Sequence, residues 1–267
     1  MKLILVACLS VFTLGVLINT VTSLDKADIA AIWTLQEGKG DEITDSVNGV
    51  KGTFNGNPKW TDGKYGSGLQ FNGSTDWVVT EDLEIFEFKA GDGFTLALWF
   101  RTKELPPEGE SAFIGKGYAD TTQLLPWYLL MYTDGKFPVT KGTVAMEVRK
   151  EPGNQGFAIG PTEVNDGQWH HITGVVEGNE ARTYVDGVLD ATVECPEADY
   201  GTNDDPVIFM RQYDVGIIGA ADEFTIIRKA LNEAEIRELM RGADAILSIQ
   251  PGGKLSTMWG DLKNPKT

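Results

Sequence analysis

DGQWHHITGVVEGNEARTYVDGVL, running from Asp166 to Leu189, decides how the chain folds. Trp169 to Val176 and Ala181 to Val185 are rich in β-branched and aromatic residues, the composition of strands. Between them Glu177, Gly178 and Asn179 make a short loop with a glycine suited to positive φ, so the two runs form a hairpin. Asp186 and Gly187 then separate Tyr184-Val185 from Val188-Leu189, the signature of a tight type I′ turn that sends the chain back again. Three neighbouring antiparallel strands follow. His170 and His171, the only histidines, are adjacent on one of them and must point to opposite faces, which unsuits them to sharing one metal ion.

The same grammar extends in both directions. In Phe94 to Arg101, Phe94, Leu96, Leu98 and Phe100 alternate with Thr95, Ala97, Trp99 and Arg101, so one side faces a core between sheets. Val144, Met146 and Val148 alternate in the same way with Ala145, Glu147 and Arg149. From Ile29 to Ile227 short apolar stretches are broken by Gly, Asp, Asn and Pro, with no sustained helical period, the pattern of an all-β sandwich or barrel. Glu104 to Pro138 carries Pro106, Pro107, Pro126 and Pro138, which do not fit central strands, and reads as long loops. Leu231 to Ala243 reads as one short helix. Asn232 and Glu235 have capping-box spacing, and Ile236, Leu239, Met240 and Ala243 form an apolar stripe. Ile246, Leu247 and Ile249 suggest a last strand, in a tail from 244 to 267 of unassigned role.

Lys2, the apolar run Leu3 to Ile18 and the small-residue pattern Val21-Thr22-Ser23 read as a secretory signal peptide, residues 1–23, cleaved after Ser23. A membrane anchor is the competing reading, because Leu3 to Val21 approaches the roughly 20 residues that span a bilayer. Export places the protein outside the cell or in the envelope or periplasm. Cys195 is then the only remaining thiol and no intramolecular disulfide forms. A net charge of −16 argues against nucleic acid and anionic membrane surfaces, which require a basic face.

Three separated segments carry a family resemblance. The first runs Ile32-Trp33-Thr34-Leu35-Gln36-Glu37-Gly38, through Asp45, Ser46, Asn48 and Gly49, to Trp60, Gly63-Lys64-Tyr65-Gly66, Leu69 and Phe71-Asn72-Gly73. The second is Asp166 to Thr173 ending in Tyr184-Val185-Asp186-Gly187, and the third is Asp222-Glu223-Phe224, Ile226, Ala230-Leu231 and Glu235-Ile236. Over residues 30–240 the chain resembles the laminin-G-like, concanavalin-A-like jelly-roll domains of the pentraxin-like superfamily, in a secreted, bacterial-type form. The resemblance implies an all-β fold: a two-sheet antiparallel jelly-roll sandwich with a short C-terminal helix, spanning residues 24–243.

It also implies an exported, non-catalytic binding or adhesion module for carbohydrate or an extracellular protein. The alternatives are a polysaccharide-active hydrolase or lyase on the same fold, or a structural envelope protein. The Glu-x-Asp-x-x-Glu pattern of laminarinase-like relatives is incomplete, since Glu197 and Asp199 are followed by Thr202. Gln168-Trp169-His170 matches a lyase-like Gln-x-His spacing but belongs equally to the non-catalytic hairpin signature. Mapping by resemblance makes Glu37 and Asp222, with backbone oxygen near Gly73, candidate ligands of a structural Ca2+. Trp127, Tyr128 and Tyr132, in or beside the proline-rich stretch, are candidates for stacking on sugar rings, as Tyr118, Tyr200 and Tyr213 are near other loops.

Overall fold

The computed structural model describes residues 24–105, 109–117, 126–132 and 140–247. The signal-peptide reading, Tyr118, three of the four prolines and the tail beyond residue 247 fall outside the described residues. Strands run in chain order as β1 (Ile29–Trp33), β2 (Glu42–Thr44), β3 (Lys51–Asn55), β4 (Lys59–Asp62), β5 (Ser67–Asn72) and β6 (Trp77–Val79). Then come β7 (Phe94–Arg101), β8 (Glu110–Lys116), β9 (Trp127–Tyr132), β10 (Val144–Glu151), β11 (Asn154–Ile159) and β12 (His170–Glu177). The last are β13 (Glu180–Val185), β14 (Val188–Glu194), β15 (Val207–Phe209), β16 (Arg211–Gln212), β17 (Val215–Gly216) and β18 (Ile218–Ile227), followed by helices α1 (Glu233–Leu239) and α2 (Ala243–Leu247).

Two antiparallel eight-stranded sheets form the sandwich. The first is ordered β14-β13-β12-β7-β18-β5-β4, with β1 also paired to β18, and the second β11-β10-β9-β8-β15-β6-β3-β2. The β12–β13–β14 meander is the one predicted. Asp186 and Gly187 both take positive φ, at 52° and 72°, as a type I′ turn requires. Between the sheets lie Phe94, Leu96, Leu98 and Phe100 from β7 against Leu129, Met131, Val144, Met146 and Val148 from the opposing sheet. Each such side chain contributes about 2 kcal/mol through the apolar area it removes from water.

The first sheet's outer face is half covered. Ile236 and Leu239 of α1 and Ala243 and Ile246 of α2 pack on Ile32, Ala97, Val175, Tyr184 and Ile227. Asn232 caps α1 in a complete capping box with Glu235. Met240 ends α1, so the single helix expected from Leu231 to Ala243 is shorter, and Ala243–Leu247 is a second helix where a strand was expected. The proline-rich stretch also departs from expectation, because it contains β8 and β9. Pro126 directly precedes β9 and interrupts no ladder. Among the described residues no helix is long and apolar enough to cross a membrane.

Candidate functional site

Outward-facing side chains of β7 divide the open side of the first sheet into zones. Ala97 lies beneath the helices. Trp99 comes next, covered by Tyr65 and His171 at ring-centroid distances of 6.2 and 5.1 Å, with Lys64 Nζ 4.1 Å above it. Arg101 is last and opens onto a pocket of about 270 Å³, walled by Gln70, the Thr102–Glu104 segment, Gly167, Ile218 and Gly219.

Strand register explains which side chains meet there. Lys59 pairs with Gln70, Gln70 with Ala220 and Ala220 with Arg101. The pairing of His170 with Phe100 brings Trp169 opposite Arg101. Cross-strand partners share a face, so Lys59, Gln70, Ala220, Arg101 and Trp169 make one outward row across the sheet. The Arg101 guanidinium lies 4.7 Å over the Trp169 ring, a cation–π contact that fixes both.

The wall opposite Arg101 is equally determined. Gly167 has φ +89°, and a Cβ there would lie 2.4 Å from Cε of Lys103, so glycine both turns the chain and admits the lysine stem. The turn is held by Asp166, whose Oδ1 accepts from Gln168 N at 2.7 Å and contacts His170 Nε2 at 3.1 Å. Asp186 Oδ2 meets the other ring nitrogen at 2.8 Å. The hydrogen bond to Asp186 raises the His170 pKa, with Asp166 adding to it against the effect of burial. His171 points the other way, as expected of adjacent strand residues, and burial pushes its pKa down to about 3. Among the described residues Lys59, Arg101 and Lys103 enter no ion pair, and Glu104 is the one acidic residue of the pocket wall.

The residues singled out from sequence for sugar stacking are placed differently. Trp127 faces the core against Phe88 and Phe94, and its Nε1 donates to Phe86 O at 3.2 Å. Tyr128 and Tyr132 point to the second sheet's outer side, where both are buried with Leu130, Ala145 and Ala112. Tyr128 donates its hydroxyl to Gly117 O. The three rings are therefore packing residues on two faces of β9, because the whole strand is enclosed on both sides. Tyr200 is buried too, its hydroxyl donating to Pro196 O.

That outer face of the second sheet also carries charge. Glu147 stands opposite Tyr128 on one side and Phe157 on the other. Its Oε1 lies 3.5 Å from Arg149 Nη2, while Oε2 is buried without a hydrogen-bond partner. Burial, aided by the nearby charge of Glu110, pushes the Glu147 pKa up to about 8, so this carboxyl holds a proton at neutral pH.

The calcium candidates have other employment. Asp222 is fully buried. Oδ2 accepts from Tyr65 N at 2.9 Å and Oδ1 from Glu223 N at 2.8 Å, and Lys64 N is a further donor. Desolvation still holds its pKa up, near 7. Glu37 accepts from Thr44 N at 2.8 Å, and Gly73 turns the chain with φ +73° against the Ile218 side chain. Calcium requires six to eight oxygens with ionised carboxylates among them. Among the described residues no group of three or more His, Cys, Asp or Glu is arranged to hold a metal. As arranged, Glu37, Gly73 and Asp222 do not fit a resident calcium ion.

Two antiparallel sheets with a meander at one edge and a terminal helix on the outer face define a laminin-G-like jelly roll. A family model described as the concanavalin A-like lectin/glucanases superfamily matches residues 72–237, and the chain belongs to that family. No curated protein sequence matches it. Among solved structures it is similar to the binding domain of Paraclostridial Mosquitocidal Protein 1, with a TM-score of 0.63 and 17% identity over 80% of this chain and 52% of that one. It is similar to Domain 4 of AbnA, a GH43 extracellular arabinanase from Geobacillus stearothermophilus, in complex with arabinotriose. There the TM-score is 0.62, with 17% identity over 79% of this chain and 98% of that one. A third is the binding domain of botulinum neurotoxin DC in complex with SialylT, with a TM-score of 0.61 and 12% identity over 85% of this chain and 52% of that one. The chain spans about half the length of the toxin binding domains it matches. At these identities the likeness is one of fold.

Proposed function

We propose that the chain is a non-catalytic binding module that works outside the cytoplasm and holds a glycan against the row from Lys59 to Trp169. The observation that carries this reading is the row itself. The Gln70 amide, the Arg101 guanidinium and Lys103 line an open pocket, a partly exposed indole stacks with the guanidinium, and Lys59 extends the row, so that register sets the arrangement before any ligand arrives. Preformed sites of this kind bind without a large ordering cost. An arabinanase domain in complex with arabinotriose shares the fold, which supports a sugar as a partner. The apolar run after Lys2 supports export. Titrating the protein with soluble polysaccharides, followed by tryptophan fluorescence, tests the reading. Binding by at least one glycan is expected, with a loss of up to about tenfold in Trp169→Ala, matching the roughly 0.5–1.5 kcal/mol of an aromatic contact. Equal affinity in parent and variant contradicts the site.

A second reading, polysaccharide cleavage, is favoured by Glu147 and Glu110 on the second sheet's outer face, since a carboxyl protonated at neutral pH has the property of a general acid. Burial of Glu147 away from solvent weighs against it. Release of reducing or unsaturated ends, abolished in Glu147→Gln, is the outcome that would favour it.

A further inference from the structure

The ligand class follows from charge. Acidic residues outnumber basic ones, 39 to 23, so an unpaired cation on this surface is surrounded by an excess of potential partners. Many of the cations on this surface hold such a partner. Lys51 pairs with Glu42, Lys116 with Asp82, Arg182 with Glu177 and Arg237 with Glu233. Arg101 and Lys103 are not paired in this way and line one pocket, and the sheet register places Lys59, also without an ion pair, further along the same outward row.

Resting on the glycan-binding reading above, we infer that the sugar recognised by the Arg101–Lys103 pocket carries an anionic group, a carboxylate or a sulfate. Arg101 is the centre of this recognition. Trp169 holds its guanidinium by the ring face instead of through a carboxylate, so the planar fork of donors is oriented and remains uncommitted. Such a fork matches two oxygens of a carboxylate or sulfate, and charge-assisted bonds of this type are the strong ones. Lys103, laid across Gly167, and Lys59, at the far end of the row, add positive potential on either side. Gln70 lies between Lys59 and Ala220, and while its Nε2 donates to Phe71 O at 3.0 Å its side-chain oxygen can accept from sugar hydroxyls. Glu104 reduces the local charge by one and disfavours a second anionic group at its own edge, which limits the site to one charged unit at a time. The overall negative charge repels polyanions at long range, so recognition of this kind is local and selective.

The test uses the full chain and matched pairs of probes: an oligogalacturonate with its methyl ester, and a sulfated oligosaccharide with its desulfated form. Calorimetry is expected to give at least one charged probe about tenfold or greater preference over its neutral partner, the size of one charge-assisted contact. Which pair shows it separates carboxylate from sulfate. The preference should shrink when salt is raised from about 50 to about 300 mM, and Arg101→Gln should remove it. Lys59→Gln with Lys103→Gln, which leaves the Arg101–Trp169 stack in place, should reduce the salt dependence and keeps the test valid if Arg101→Gln fails to fold. Equal binding of charged and neutral partners overturns the inference and leaves the glycan reading standing. Binding of neither member of either pair, with no glycan found in the wider titration, overturns both. A charged-probe preference that survives both sets of substitutions also overturns it, because another surface would then be responsible.

Discussion

Glu147 shows how one residue in the wrong medium makes stability depend on pH. Its carboxyl is raised from an ordinary value of 4.5 to about 8 because ionising it would bury a charge with one oxygen unpartnered. The folded protein therefore binds a proton that the unfolded chain has released. That stabilisation is full below about pH 4.5 and is lost as pH rises towards 8. Guanidinium unfolding midpoints should fall from pH 5 to pH 8, and Glu147→Gln should flatten the upper part of that slope and exceed the parent at pH 8. An identical slope in the variant would contradict the burial argument. In sequence Glu147 reads only as the polar side of an alternating strand, since nothing local reveals that this strand's outer face is covered. Trp127, Tyr128 and Tyr132 mislead for the complementary reason. Trp-Tyr-Leu-Leu-Met-Tyr has no polar alternation, because β9 is enclosed on both sides, so period-2 reading fails and the neighbouring prolines suggest a loop.

At the scale of elements, Asp222 joins the β4–β5 hairpin to the central strand β18. Its carboxylate accepts the amides of Lys64 and Tyr65 in the turn, and Gly63 packs so closely that a Cβ there would lie 2.5 Å from Oδ2. Asp222→Ala would orphan these amides and that of Glu223. A loss of about 3 kcal/mol or more is expected, from roughly 1–3 kcal/mol per buried unsatisfied group. Calcium and chelator should leave the parent's melting temperature unchanged. A calcium-dependent rise abolished by Asp222→Ala would restore the metal site implied by resemblance. The β12–β14 meander, β7 and the capping of α1 were legible in the sequence because each is local: two-residue turns, period-2 alternation, and an Asn232-to-Glu235 spacing. The break between α1 and α2 was not, since the apolar stripe continues through Ala243 and only the turn at Arg241 and Gly242, with Gly242 at φ +106°, interrupts the backbone.

The whole molecule is a sandwich whose two outer surfaces differ. On the first sheet the helices cover one zone, Trp99 and its neighbours close a second, and the Arg101 zone stays open. On the second sheet the outer face of β9 and β10 is buried and holds a carboxyl whose pKa burial pushes up. Lys59, Arg101 and Trp169 are 110 positions apart from first to last and carry no motif, so the pocket became visible only when antiparallel register aligned them. The measurement that tests the account most directly is a map of backbone amide chemical shifts by NMR while a bound oligosaccharide is titrated in. Shifts are predicted at Arg101 to Glu104, Gly167 to Trp169, and Ile218 and Gly219. Shifts confined to β9 and β10 around Tyr128, Glu147 and Arg149 would contradict it and move the site to the opposite sheet.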